Sequence, residues 1–278
     1  MLSSRTLQIR ALRSCSKAVT GSRAFSAFNP RLSGFNSPAK SASKDGQKNG
    51  NPQRPMRERM SLEGKTTVIT GGARGIGLSL VEAIAEAGGN VAILDVLEKP
   101  QTDLSALGDR RDEDRCTGEY FQSDKAGFWE CRWLVLGTFF CAQLAAKAMK
   151  DQVSGGSLVF IASIASHMAL PLQRLPMYGA TKGAVRVLMT QLAVELGPLN
   201  IRVNSVSPGF IRTDMTKLCA VQQPELYSIF DTAPPIGRIG ETSDITGAVN
   251  YLLSDASAYT TGADIPITGG LIGGRIKN

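Results

Sequence analysis

A strand-like run followed directly by a glycine-rich turn and a helix constrains the fold of this chain more than any other feature. Residues 65–70 are rich in β-branched side chains, which favour strands. Residues 71–77 contain four glycines, and helix-forming residues follow from Leu78 to the stop at Gly88 and Gly89. Such a unit predicts a dinucleotide site with the phosphates at the helix N-terminus. A glycine-rich loop without a ligand is the alternative.

Three glycines of this turn have distinct predicted tasks. Gly71 permits the tight turn, Gly75 lets the backbone approach a pyrophosphate, and Gly77 allows the helix to pack closely.

The next strand-like run, 91–95, ends in the acid Asp95. A carboxylate about twenty residues after the turn accepts hydrogen bonds from the adenosine ribose and repels a 2′-phosphate, which favours NAD. Arg74 in the turn could assist a 2′-phosphate, so NADP stays open. An ordinary strand-ending acid is the alternative for Asp95.

Strand-like runs recur along the chain with helical patterns between them. They lie at 65–70, 91–95, 119–123, 157–162, 201–206 and 264–267. This alternation predicts an α/β fold, a doubly wound parallel sheet of the Rossmann-like kind, in a single domain that spans 61–278.

Tyr178 and Lys182 stand four residues apart, which places them on one face of a helix. A tyrosine titrates near pH 10 and needs a neighbouring cation to exchange protons at neutral pH. An ammonium about 4 Å away favours the phenolate by roughly 4 kcal/mol before desolvation, equivalent to a pKa shift of about two to three units. The pair is a candidate general acid.

Together, the turn T-G-x-x-x-G-x-G from Thr70 to Gly77 and the Y-x-x-x-K motif at Tyr178 resemble the classical short-chain dehydrogenase/reductase family. The resemblance implies a carbonyl-orienting serine, here Ser163 with Ser166 as second choice. It also implies that Lys182 holds the nicotinamide ribose.

The same resemblance supplies the remaining cofactor contacts. Ile211 and Thr213, after the Pro208-Gly209 loop, would touch the nicotinamide carboxamide, and Asp124 would contact adenine. The catalytic group would be Ser163, Tyr178 and Lys182. The cofactor would be bound by Gly71, Arg74, Gly75, Ile76, Gly77, Asp95, Asp124, Tyr178, Lys182, Pro208, Gly209, Ile211 and Thr213.

The spacing between Ser163 and Tyr178 and the sequence around them resemble those of fungal polyol and ketose members, such as sorbose reductases and arabinitol dehydrogenases. This implies an NAD(P)-dependent oxidoreductase that interconverts a secondary alcohol and a ketone, with Tyr178 as general acid and base. The alternative is an inactive dinucleotide-binding remnant.

One departure from the family pattern lies between about 124 and 137. The family places a helix, a fourth strand with an N-N-A-G motif and a catalytic asparagine there, whereas this chain has no N-N-A-G, and Leu134 stands at the position of the asparagine. We expect the fourth strand and its adjoining helices to be missing, which would leave both neighbouring strands unpaired. Residues 133–136 are expected to begin the following helix.

The N-terminal segment has a different composition from the rest. Up to Lys44 it holds eight Lys or Arg and no Asp or Glu. This predicts a mitochondrial transit peptide over 1–25, cleaved before Ser26, and hence the mitochondrial matrix. Residues 26–60 are expected to form a disordered linker. A generic basic tail is the alternative.

Charge and composition exclude several other functions. The net charge of +7 comes from the first 44 residues, since the remainder holds 23 basic against 24 acidic side chains. We therefore expect no nucleic-acid partner and, from the short apolar runs, no membrane span. The cysteines show no metal-ligand spacing, so no metal site is predicted. His167, the only histidine, is read as a polar loop residue.

Two further regions concern partners. Apolar faces at about 137–150 and 178–196 suggest a homotetramer or dimer, although packing on the sheet explains them equally well. The family resemblance also implies that residues 218–235 form a mobile lid over a small-molecule substrate.

Overall fold

The computed structural model describes residues 54–97, 100–102, 119–122, 132–152, 154–170, 173 and 175–274. The predicted transit peptide, the linker up to residue 53 and the adenine-contacting Asp124 lie outside these residues.

The described chain alternates between strands and helices as its sequence predicts. The strands are β1 Thr66–Thr70, β2 Asn90–Asp95, β3 Glu119–Gln122, β4 Gly156–Ile161, β5 Ile201–Pro208 and β6 Asp264–Ile267. The helices are α1 Met56–Met60, α2 Gly75–Glu86, α3 Thr138–Asp151, α4 Pro176–Leu196, α5 Asp214–Gln222, α6 Pro224–Thr232 and α7 Ser243–Leu253.

The strands form two parallel sheets of three strands each, in the orders β1-β2-β3 and β4-β5-β6. In the first sheet Val68 pairs with Ala92, and in the second Phe160 pairs with Ser205 and Val206 with Ile265. No described strand pairs with the outer edge of β1 or of β4.

Helices α2 and α7 hold the two sheets together on one face. Their apolar side chains share one core cluster with both sheets, which includes Ile69 of β1, Val206 of β5 and Ile245 of α7. The Ser79 hydroxyl donates to Thr242 Oγ1 at 2.6 Å across the same contact. Burial of this shared cluster fixes the relative position of the two halves.

On the opposite face, α3 and α4 cover only the second sheet. Ala142 of α3 and Met189 of α4 pack with Phe160 of β4 and Val203 of β5. The first sheet has no described helix on this face, and Val68 of β1 remains 44% exposed there.

The segments that precede α3 and β1 are both helical. Arg132–Gly137 forms a π-helical turn that runs directly into α3, so the expectation that 133–136 begin the following helix is confirmed. The prediction of disorder is wrong for Met56–Met60, which forms α1. Contacts with residues after α7 explain this order. Arg59 of α1 donates from Nη2 to the Ala256 carbonyl at 3.4 Å, and Lys65, just before β1, lies with its Nζ 2.6 Å from Asp255 Oδ1.

Candidate active site

The glycine turn between β1 and α2 has a backbone conformation that favours glycine at two positions. Gly71 and Gly75 have φ values of 71° and 57°, in the left-handed region that favours glycine. A Cβ atom at Gly77 would overlap the carbonyl oxygen of Gly71. The turn therefore closes tightly against the first turn of α2.

The N-terminus of α2 fits a pyrophosphate. The helix begins at Gly75, and the preceding residue Arg74 makes no side-chain hydrogen bond to the free N–H groups of the first turn. Such groups, together with the helix dipole, favour bound phosphate. A methyl group at Gly75 would lie 3.8 Å from Thr213 Cγ2, so the loop after β5 faces the glycine turn from the other half of the molecule.

Asp95, at the end of β2, anchors this turn. Its Oδ2 accepts a hydrogen bond from Ala73 N at 2.9 Å, and its Oδ1 accepts one from Leu97 N at 3.0 Å. The residue is only 8% exposed. The carboxylate thus shapes the turn, and each oxygen retains a lone pair for a ribose hydroxyl.

Lys182 connects the end of β4 to Tyr178. Its Nζ donates to the carbonyl oxygen of Ile161 at 2.9 Å and lies 5.8 Å from the centre of the Tyr178 ring. Burial lowers the pKa of the Lys182 ammonium below its ordinary value of 10.5. Because an ammonium has three donors, two remain for other partners.

Ser163 follows β4 and begins a short 3₁₀ turn, Ile164–Ser166. The serine is nearly buried, and its Oγ accepts from Ala165 N at 3.2 Å. Helix α4 comes close to this turn, because a Cβ at Gly179 would lie 3.0 Å from the Ala165 carbonyl oxygen. The structure therefore brings Ser163, Tyr178 and Lys182 to the same end of β4.

The loop after β5 carries the other predicted cofactor contacts. A Cβ at Gly209 would lie 2.9 Å from Thr268 Cα, so only glycine fits there. Ile211 is buried in the core cluster that joins the two halves, and its carbonyl accepts from Thr216 Oγ1 at 3.1 Å. Thr213 is thus the residue of this loop that faces the glycine turn.

Helices α5 and α6 occupy the expected lid region. Phe230 of α6 stacks on Phe210 with ring centres 4.5 Å apart, in an apolar cluster that also contains Ile164. Asp214, at the start of α5, accepts from Gln101 Nε2 at 3.0 Å, and this bond, with that of Lys217, lowers the pKa of its carboxyl group. The lid therefore contacts both the serine turn and the loop after β2.

The sequence analysis missed the role of His167. Its Nε2 lies 2.7 Å from Asp264 Oδ2 and its Nδ1 lies 3.1 Å from Arg186 Nη1. Since arginine only donates, Nδ1 accepts and Nε2 carries the proton that it donates to Asp264. Arg186 also donates to the Ser166 carbonyl at 3.1 Å. His167 thus ties the serine turn to α4 and to β6.

The described residues contain no group of three or more His, Cys, Asp or Glu side chains arranged to hold a metal ion. Among them, no helix is both long and apolar enough to cross a membrane.

Comparison with known proteins gives concordant matches. A family model described as enoyl-(acyl carrier protein) reductase matches residues 130–272. A sorbose reductase of Schizosaccharomyces pombe is 35% identical over 259 aligned positions, covering 77% of this chain and 98% of that protein. A probable NADP-dependent mannitol dehydrogenase of Yarrowia lipolytica is 33% identical, covering 77% of this chain and 89% of that protein.

A solved structure shows the same fold. The short-chain type dehydrogenase/reductase from Mycobacterium marinum superposes with a TM-score of 0.66 and 30% identity, covering 77% of this chain and 98% of that one. The fold, the geometry and these relatives agree: this chain belongs to the short-chain dehydrogenase/reductase family of NAD(P)-dependent oxidoreductases.

Proposed function

We propose that this protein interconverts a secondary alcohol and a ketone, with a polyol or ketose as substrate and Tyr178 as general acid and base. The observation that supports the proposal is the position of the Lys182 ammonium, which donates to the Ile161 carbonyl, two residues before Ser163, and lies 5.8 Å from the centre of the Tyr178 ring. The sorbose reductase and mannitol dehydrogenase relatives support the substrate class.

The residues divide the chemistry as follows. The glycine turn and the N-terminus of α2 would hold the pyrophosphate, and Thr213 would face the nicotinamide end. A bound reduced nicotinamide supplies the hydride. The Ser163 hydroxyl donates to the substrate carbonyl oxygen, and Tyr178 gives its phenolic proton to that oxygen as the carbon accepts the hydride. The Lys182 ammonium stabilises the phenolate that remains.

For the cofactor we propose a preference for NAD over NADP. The Asp95 carboxylate, at the end of β2, would disfavour NADP by repulsion between like charges if the adenosine ribose binds beside it. Arg74, exposed at the start of α2, is the only described cation of the turn that could offset this repulsion.

The test is turnover of the full chain with NADH and NADPH on a panel of ketoses and simple ketones. We expect NADH-linked reduction of a ketose that falls by about 100-fold or more in Tyr178→Phe, the range typical of general acid catalysis. Tyr259→Phe is the matched control, because Tyr259 is fully exposed. Equal rates in the two variants would refute the role of Tyr178.

A second candidate function is a dinucleotide-binding protein without turnover. The unpaired edges of β1 and β4 favour it, as does Leu134 at the position that the family pattern gives to a catalytic asparagine. Binding of NADH without reduction of any carbonyl on the panel would support this candidate over the enzyme.

We also propose that the protein is imported into the mitochondrial matrix. The basic composition of residues 1–25 supports import, and a fluorescent protein that carries these residues should enter mitochondria.

We further propose that the protein forms a homo-oligomer through α4. Val187 and Val194 are exposed seven residues apart on one face of this helix. Replacing both by Glu should shift the sedimentation coefficient to that of the monomer.

A further inference from the structure

The outer edge of β1 presents unpaired backbone groups. Along a parallel strand, the N–H and C=O groups of one residue both point to the same side, and those of the next residue both point to the other side. Gly71 N donates to Leu94 O, and Asn90 N donates to Lys65 O, both at 2.8 Å. Odd-numbered residues of β1 therefore face β2. The backbone groups of Thr66, Val68 and Thr70 face outward, and no described residue pairs with them.

The outer edge of β4 has the same character. Ala162 N donates to Val206 O at 2.8 Å, so the even-numbered residues of β4 face β5. Ser157, Val159 and Ile161 turn their backbone groups away from it. Within the described chain, the one bond to these groups is that of Lys182 to the Ile161 carbonyl. A catalytic lysine thus satisfies a carbonyl that a neighbouring strand would otherwise bind.

These two edges face one gap, which we call the seam: Thr66, Val68 and Thr70 of β1 with Ser157, Val159 and Ile161 of β4. The superposition on the M. marinum structure covers 77% of this chain. Residues 132–274, which hold the second sheet, make up only about half of this chain. The superposed part must therefore include the first sheet as well, so both sheets superpose together on the sheet of that one relative.

The side chains beside the seam are apolar on both faces of the sheet. On one face, Ile69 of β1 and Val159 and Ile161 of β4 belong to the same core cluster. On the other face, Val68 is 44% exposed, and Leu158 and Phe160 are buried under α3 and α4. A strand in the seam would extend both clusters, so its sequence must be apolar on both faces, as in a buried parallel strand.

The alignment with the S. pombe sorbose reductase contains positions at which this protein has no residue. The match to the S. pombe sorbose reductase spans 259 positions, but 77% of the 278 residues is about 214, so about 45 positions have no residue here. We propose that the seam binds an extended strand of a separate polypeptide, parallel to β1 and β4, uncharged and apolar on both faces. This inference goes beyond the proposed function and needs neither cofactor nor substrate.

The test is binding of fluorescent synthetic peptides to the full chain, measured by anisotropy. The peptides tile the segment of the S. pombe sorbose reductase that has no counterpart here, and a scrambled peptide is the control. We expect one tile to bind saturably and its scrambled form not to bind. If no tile binds, the proposal is overturned. The same result is expected if other residues of this chain already fill the seam, and it overturns the proposal in that case too.

Backbone N-methylation of the binding tile identifies where it binds. A strand between two neighbours donates alternately to each, so N-methyl groups on either the odd or the even residues should weaken binding at least tenfold. A strand added to the outside of β3 or β6 would lose binding with one set only, and that result would overturn the seam as the site.

Val68→Asp provides a test on the protein side. Its carboxylate is solvated when the seam is open, but it would be partly desolvated beside the apolar side chains of a strand that fills the seam. We expect at least tenfold weaker binding, against a change within about threefold for the matched control Val68→Thr, with both variants folded by circular dichroism. Equal affinities would overturn the proposal. Peptide binding that survives without any oxidoreductase activity would leave it intact.

Discussion

Replacing Gly77 by Ala tests how the glycine turn is built. The added Cβ would overlap the Gly71 carbonyl oxygen and lie 3.0 Å from Gly72 Cα, and both are backbone atoms that cannot rotate away. Forced overpacking of this kind costs about 1–3 kcal/mol. Alanine recovers about 1 kcal/mol over glycine inside a helix. The net expected loss in free energy of unfolding is about 0–2 kcal/mol.

Gly247→Ala is the matched control, because Gly247 lies inside α7 and a Cβ there meets no atom within 4 Å. In this variant the free energy of unfolding should rise by about 1 kcal/mol, because alanine has a higher helix propensity than glycine and no overlap opposes it. The difference between the two variants in urea unfolding therefore isolates the cost of the overlap, about 1–3 kcal/mol.

The same pair tests the phosphate site. Because the overlap pushes the turn away from the start of α2, Gly77→Ala should bind NADH at least tenfold more weakly, whereas Gly247→Ala should bind it as the wild type does. If Gly77→Ala were as stable as Gly247→Ala and bound NADH within twofold of the wild type, the reasoning about the turn would be refuted.

Three further predictions concern polar groups that are buried or partly buried. Asp95→Ala should destabilise the protein by about 1–3 kcal/mol, since it leaves Ala73 N and Leu97 N unpaired. It should also narrow the preference for NADH over NADPH. An unchanged free energy of unfolding together with an unchanged cofactor preference would contradict this prediction. The pKa of Lys182 lies below 10.5 in the folded chain, so the unfolded chain binds more protons between that lowered pKa and 10.5. The free energy of unfolding of the wild type should therefore rise with pH across this window relative to Lys182→Met, whereas parallel curves would exclude a lowered pKa. His167→Ala should cost about 1.5–3 kcal/mol by removing a hydrogen bond to the partly exposed Asp264 carboxylate, and an unchanged urea midpoint would count against it.

The order of elements could be predicted from the sequence because each strand is a short β-branched or apolar run between turn residues. The predicted strands agree with the structure to within two residues at each end. The glycine turn was predictable for the same reason, since its task depends on a local backbone shape. The turn into α3 was predictable because residues 125–131 are too few to cross the sheet.

Contacts between distant residues could not be predicted in this way. Asp264 lies 97 residues from His167, and no local pattern links an isolated histidine to it. Asp95 could be placed at the end of β2, but its bonds to two backbone N–H groups depend on how the turn folds back. The bond of Lys182 to the Ile161 carbonyl depends on the unpaired edge of β4, which exists only in the folded chain.

A single-turnover reduction with NADH that carries deuterium at both C4 positions tests most directly whether the two halves of the chain, one around each sheet, build one site. The glycine turn follows β1 and the Tyr178–Lys182 pair lies beside β4, so transfer requires both halves to meet at one cofactor. With a ketose such as sorbose, we predict that the deuterium appears on the carbinol carbon of the product, as shown by mass spectrometry. Tight binding of NADH with no deuterated product from any ketose or ketone would contradict the account.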